Sequence, residues 1–375
     1  MKKVLALLLA LVMLVSLVAC GAKEDAPAAD APAADAPAAD APAADEPAVD
    51  NSQDIEVVED ETFDPAKYDG KIGFFYAAPH PFGEACKEGA DAWAAEKGVN
   101  AVIKIGPDWT LDSQVMNLEA MMAQGCEAIG TFPMDNAVYD GMYDEKQGEV
   151  IFNNLGWNST AETKAQHLVS TNIYASAYKS MEYIGELLDY KGGIMIAYES
   201  VTDSATMERK EAVNDFLAEH PDMWLECEAF DYTEVAAAAV KIENTMNAHE
   251  GKIDGIVALG FTSTQALVGV LGDYYERGGE KIPCVGIDTD DLIFQGIRDG
   301  IITATVAQNS WGIGYIGMEV MRLQLDGYTP KEGKYHIDTG IVLVTEENIE
   351  TYNDDLQAVT QEIVNSLTTE YMEMK

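Results

Sequence analysis

The chain has 375 residues, of which 65 are Asp or Glu and 23 are Lys or Arg, giving a formal net charge of −42. Such a surface repels phosphate backbones, which argues against nucleic acid as a partner. Hydrophobic residues make up 47 % of the chain, enough for a sizeable core.

In chain order, residues 1–20 have the layout of a secretory signal. Lys2 and Lys3 give a positive start, and Val4 to Val18 is an apolar run broken only by Ser16. The run is shorter than the about 20 residues a spanning helix needs. The junction Leu17-Val18-Ala19-Cys20-Gly21 resembles a bacterial lipobox. That resemblance implies export, lipidation of Cys20 and anchoring to the cell membrane on its extracytoplasmic side. Asp25-Ala-Pro-Ala-Ala then recurs at Asp30, Asp35 and Asp40 and degrades after Asp45. A repeat of one charge and one proline has nothing to bury, so it is expected to be an extended, self-repelling spacer. Residues 21–65 read as a disordered acidic tether.

The body, residues 66–375, carries 51 acidic and 20 basic side chains, a formal charge of −31. It is long enough for two domains. Strands are predicted at 71–78, 101–105, 127–132, 150–154, 167–171, 193–198, 224–230, 255–260, 284–287 and 303–308. Helices are predicted at 83–97, 112–123, after Asp135, and at 174–189, 204–219, 234–249, 263–277, 290–299 and 312–325. The stretch after Asn348 reads as one more amphipathic helix. This alternation implies βαβ units, so the fold class is α/β with two doubly wound, Rossmann-like parallel sheets. Cys86, Cys126, Cys227 and Cys284 are far apart, with no C-x-x-C and no neighbouring His pair. They read as buried free thiols, and no metal site is implied.

In such sheets, ligands bind beyond the carboxyl ends of the strands. The segments there include His80-Pro-Phe-Gly83, Phe132 to Asp135, Asn153 to Trp157, Glu199 to Arg209, Asp231-Tyr232, Gly260 to Ser263, Asp288 and Gln308. They mix carboxylates, amides, hydroxyls and aromatics, without a phosphate loop, G-x-S-x-G or H-E-x-x-H. Aromatic faces stack on the C–H side of a sugar, and carboxylates and amides bond its hydroxyls. The set suits a neutral polyhydroxylated molecule.

Several motifs in this order resemble the type I periplasmic binding proteins, the ribose- and galactose-binding branch of ABC-transporter solute receptors. They are His80-Pro-Phe-Gly83, Ser204-Ala-Thr-Met-Glu-Arg209, Val285-Gly-Ile-Asp288 and Ala304-Thr-Val-Ala-Gln308, and the likeness runs from about Lys71 to Ile349. It implies two lobes joined by a three-strand hinge, with crossings near Ser170, at Gln308–Asn309 and at Asp338–Thr339. Residues 66–170 plus 309–338 would form the first lobe, and 171–308 plus 339–375 the second. Phe82 and Tyr232 would stack on the two ligand faces. Asn153 or Asn154 would bond hydroxyls, Arg209 would donate to ligand oxygens, Thr262 would stand where the family has Asn, and Asp288 would accept from paired hydroxyls. Gln308 would close the site at the hinge. His80 and Asp135 lie at strand ends facing the same cleft. Gly83 replaces a second aromatic and Leu155 a second Arg, and Trp157 and Trp311 are available to refill the space.

The resemblance implies a monomer that binds a monosaccharide or related polyol, needs no cofactor and no catalytic residue, and docks on an ABC permease driven by its ATPase. A chemotaxis or sensor-kinase receptor of the same fold is an alternative. An exported glycoside hydrolase is another, and it would need two carboxylates such as Asp135 and Asp288 flanking a bond.

Overall fold

The computed structural model describes residues 63–156 and 162–375. The signal, Cys20, the tether up to residue 62 and Trp157 lie outside them. The body begins earlier than the sequence suggested. Phe63 stacks on Tyr68 at 5.5 Å, and the Tyr68 hydroxyl donates to Asp326 at 2.8 Å.

The first sheet holds β1 (Ile72–Tyr76), β2 (Val102–Ile105), β3 (Ala128–Thr131), β4 (Ile151–Leu155), β5 (Leu168–Ser170) and β12 (His336–Asp338). The order is β12-β5-β4-β3-β1-β2, all parallel. Strand residues alternate between two helical layers, as period 2 demands. Ile72, Phe74 and Tyr76 face the layer of α1 (Pro81–Lys97) and α9 (Ser310–Leu325). Phe75 faces the layer of α2 (Leu111–Ala123) and α3 (Asn136–Glu145). Helices α1 and α9 approach closely because Gly89 and Gly314 present bare backbone to each other's helix.

The second sheet repeats the plan with β6 (Gly192–Tyr198), β7 (Met223–Phe230), β8 (Gly255–Ala258), β9 (Cys284–Ile287), β10 (Ala304–Gln308) and β13 (Ile341–Val344). Its order is β13-β10-β9-β8-β6-β7, with β13 antiparallel. Helices α4 (Ile173–Leu187) and α5 (Ser204–Glu219) cover one face. Helices α6 (Val235–Ala248), α7 (Phe261–Glu276) and α8 (Asp291–Arg298) cover the other. The four cysteines of the body are free and buried.

The chain passes between the lobes after β5, at Asn309 after β10, and at 339–340 between β12 and β13. Asn309 is fully buried at the crossing. Its amide donates to the Thr339 carbonyl at 2.7 Å and to the Thr360 hydroxyl at 2.8 Å, and it caps α9 through Gly312 N at 2.9 Å. Thr360 belongs to α10 (Tyr352–Ser366), so this helix braces two crossings at once.

Residues 339–375 do not stay in the second lobe, which corrects the sequence reading. Leu356 of α10 lies in the second lobe's core, but Ile363, Val364, Leu367 and Met372 pack into the first. A π-helical turn, Leu367–Tyr371, leads into β14 (Met372–Met374), which pairs antiparallel with β11 (Tyr328–Pro330) of the first lobe. The amphipathic stripe of α10 was legible, but a stripe does not say which core it faces.

His167, just before β5, carries a testable consequence. It is fully buried, its Nδ1 sits 3.2 Å from the Tyr335 carbonyl, and its Nε2 has no hydrogen-bond partner among the described residues. Burial pushes its pKa down to about 4, partly opposed by backbone hydrogen bonds. The unfolded chain therefore binds a proton here between about pH 6.5 and pH 4 that the folded chain does not. Stability should fall by about 3 kcal/mol as pH drops through that window. Urea midpoints at pH 7 and pH 4.5 should differ less in His167→Gln than in wild type, and an equal drop in both would count against this role.

Candidate ligand-binding site

Both sheets share the order 2-1-3-4-5, so each has a topological switch point, at β1/β3 in the first lobe and β6/β8 in the second. Strands β5, β10 and β12 all end at the crossings. Because their parallel neighbours end on the same side, the carboxyl ends of both sheets face the hinge side. That is where this strand order places ligands.

At the first switch point four aromatic rings meet. Tyr76 ends β1 and lies 5.3 Å from Trp109, 5.5 Å from Phe132 and 6.3 Å from Phe82 between centroids. Trp109 and Phe132 are 6.0 Å apart. Phe82 is half-buried and starts α1, where its backbone N–H donates to His80 Nδ1 at 3.2 Å. His80 is thus the cap of α1. Gly83 explains itself here, because a Cβ at that position would overlap the Tyr76 ring. Tyr76 occupies the room that a second aromatic on α1 would have needed. Gly156, with φ +73°, lets the end of β4 pass beside Phe82, where a Cβ would come within 2.9 Å.

Asp135 is exposed and caps α3 through Val138 N at 3.0 Å. Asn153 and Asn154 correct the sequence reading, because both are buried within the lobe. Asn153 exchanges two amide hydrogen bonds with Gln324 of α9, at 2.7 and 2.9 Å. Asn154 accepts from Tyr143 at 3.2 Å and donates to Thr163 at 3.0 Å. Strand β4 runs on to Leu155, so these amides alternate onto its two helical faces rather than capping its end. Leu155 is core, packed against Gly130 and Gly317. Trp311 stacks on Tyr315 at 5.0 Å, on the α1–α9 side.

In the second lobe, Arg209 of α5 is 7 % exposed. One Nη donates to the Leu259 carbonyl at 3.0 Å, immediately beyond β8. Its Nε is buried without a hydrogen-bond partner, and no carboxylate forms an ion pair with it among the described residues. A buried, unmatched guanidinium donor is costly unless something fills it. Glu199, beyond β6, accepts from Ser263 N at 3.2 Å at the start of α7, where the helix dipole favours a carboxylate.

Asp288 follows β9 in the left-handed region, φ +74°. Its Oδ1 accepts from Gln308 Nε2 at the end of β10. Asp290, not Asp288, caps α8, accepting from Ile293 N at 2.7 Å. Thr262 is half-buried in the first turn of α7. Tyr232 is a correction. It is 5 % exposed, packs in the second lobe's core and bonds Ser263 at 2.9 Å, so its ring is not presented for stacking. Two aromatics are exposed at strand ends in this lobe, Phe230 at the end of β7, 40 % exposed, and Phe261 beyond β8, 41 % exposed at the first position of α7. Sequence reasoning singled out neither Phe261, Trp109 nor Tyr76 as binding residues. The sign for Trp109 was the Asp108-Trp-Thr110 turn beyond β2.

The family described as "Periplasmic binding protein domain" matches residues 73–329. The chain is 22 % identical to a xylitol-binding protein of Mycolicibacterium smegmatis over 284 residues, covering 75 % of this chain and 78 % of that one. It is 24 % identical over 272 residues to the ribose import binding protein RbsB of Salmonella typhimurium, covering 70 % and 87 %. Among solved structures it resembles a sugar ABC transporter sugar-binding protein from Bacillus halodurans, with a TM-score of 0.66 and 20 % identity, covering 75 % of this chain and 99 % of that one. With two parallel-sheet lobes hinged at their strand ends and the family match over most of its body, this chain belongs to the periplasmic binding protein family.

Proposed function

We infer that the protein is an extracytoplasmic receptor that closes its two lobes around a sugar or polyol and delivers it to an ABC importer. The observation that carries this is the unmatched buried donor of Arg209 at one switch point, with a wall of aromatic rings at the other. A polyhydroxylated ligand satisfies both, giving hydroxyl oxygens to the guanidinium and a C–H face to the rings. Contact with both lobes stabilises the closed state over the open one. The xylitol- and ribose-binding relatives support the ligand class. Binding and release need no catalytic step in this reading, in which Asp288 accepts from Gln308 through Oδ1 and leaves Oδ2 to the ligand.

The signal pattern and Cys20 support a lipid anchor that holds this receptor at the membrane. A chain carrying Cys20→Ala should then leave the membrane fraction, and its retention there would refute the anchor. For the ligand, thermal unfolding against a panel of pentoses, hexoses, cyclitols and polyols is the direct test. A ligand at 100 times its Kd should add about 2.7 kcal/mol of stability. A flat response to every member would sink the sugar-receptor reading.

A further inference from the structure

We propose that Trp109 is a ligand-stacking residue that determines specificity, and that with Tyr76 and Phe132 it selects a ring-closed ligand, a pyranose or cyclitol, over an open-chain polyol. The proposal rests on the sugar-receptor reading and deepens it.

Trp109 stands between β2 and α2 on a loop fixed from both sides. Thr110 N donates to Asp108 at 3.0 Å, and Ser113 N donates to the Thr110 hydroxyl at 3.4 Å. The indole is therefore placed before any ligand arrives. It meets Tyr76 and Phe132 at interplanar angles of 80° each, which brings it inward from the sheet edge to the β1/β3 switch point. Yet it remains 40 % exposed, whereas Tyr76 is 4 % exposed. A large aromatic surface held in water on a preset loop at the strand ends marks a binding surface more than a core position.

Gly83 gives the second, independent reason. The ring of Tyr76 fills the space above it, so α1 contributes only Phe82 to the wall, and Phe82 is itself half-buried. The indole is the most exposed of the four rings and is the surface left for contact. A flat ring surface gains most from a continuous C–H face. A pyranose or cyclitol presents that face ready-made, whereas an open chain must freeze several torsions to form it.

The test is calorimetric titration of wild type, Trp109→Ala and Trp109→Phe with myo-inositol, D-glucose and D-arabinose against xylitol and sorbitol. Wild type should prefer the ring compounds. Trp109→Ala should weaken them by about three- to tenfold and the open chains far less. Trp109→Phe should restore most of the loss, and the ligand-dependent change in tryptophan fluorescence seen in wild type should shrink markedly in that variant. Without ligand, Trp109→Ala should melt somewhat below wild type because it loses the contacts with Tyr76 and Phe132, and Trp109→Phe closer to it, so titrations are run well below both midpoints. Equal losses for rings and chains overturn the selection, and unchanged affinities overturn the stacking. A wild type that binds no panel member overturns the receptor reading and this proposal with it.

Discussion

Asp288→Asn is expected to weaken sugar binding by about 10- to 150-fold, the loss of a hydrogen bond to a charged acceptor, with no change in the ligand-free unfolding midpoint. The backbone here is already set by the strands. Asp288 N donates to Val306 O at 2.9 Å, and its carbonyl accepts from the Thr305 hydroxyl at 2.7 Å. One carboxylate oxygen takes the Gln308 amide. Among the described residues the other oxygen, Oδ2, has no partner, and it is the atom the ligand's hydroxyls would meet. Asn keeps an acceptor for Gln308 and tolerates the left-handed φ of +74°. Asp288→Ala tolerates it less well and should additionally lose about 1–2 kcal/mol of stability. Calorimetric titration and thermal melts separate the two effects. An Asn variant that binds like wild type would remove Asp288 from the site.

Gly314→Ala should be the most damaging of the conservative substitutions at a glycine. An added Cβ would overlap the Cys86 carbonyl oxygen and come within 2.8 Å of its carbon and 2.9 Å of Ala90 N. These are backbone atoms of a packed helix and cannot rotate away. Separating α1 from α9 opens the core that Trp93, Ile316 and Val320 fill. The expected cost is about 3 kcal/mol or more, even after the gain of about 1 kcal/mol in helix propensity. Gly89→Ala meets the Trp311 carbonyl in the same interface. The double variant should cost less than the sum, because one separation of the helices relieves both clashes. Gly269→Ala in α7, with nothing within 4 Å, is the control and should be neutral or mildly stabilising. Urea midpoints read all four variants, and a wild-type midpoint for Gly314→Ala would refute the close approach.

The fold was legible because its signals are local. Apolar runs of four to seven residues alternate with amphipathic stretches, and Gly98 stops α1 in the left-handed conformation, φ +66°. The crossings near Ser170, Asn309 and Thr339 were readable only through the family motifs. The site was harder, because strand-end position does not say where a side chain points. Asn153 and Asn154 looked like cleft amides, but β4 extends past them and its two faces consume both. Tyr232 looked like a stacking ring, but Asp231 at φ +70° turns the chain and its ring is buried. Arg209 and Asp288 do lie at strand ends, Arg209 reaching the Leu259 carbonyl beyond β8 and Asp288 following β9, because their motifs fix both a residue and its element. Trp109 escaped notice because what matters is the two rings it meets, Tyr76 and Phe132, and they come from two other strand ends.

The C-terminal strap also sets an order of assembly. The first lobe begins with β1 but draws α9, β12, Leu367 and Met372 from the far end of the chain. The second lobe needs nothing before α4 and only β13 and the start of α10 after β10. During synthesis, therefore, the lobe begun first is completed last. Its core stays open until Leu367 and Met372 have been made, so closing it brings into one core segments about 300 residues apart in sequence. Long-range closure of this kind is slow. A chain built this way leaves its first lobe unfinished until β12 and the second half of α10 have been made.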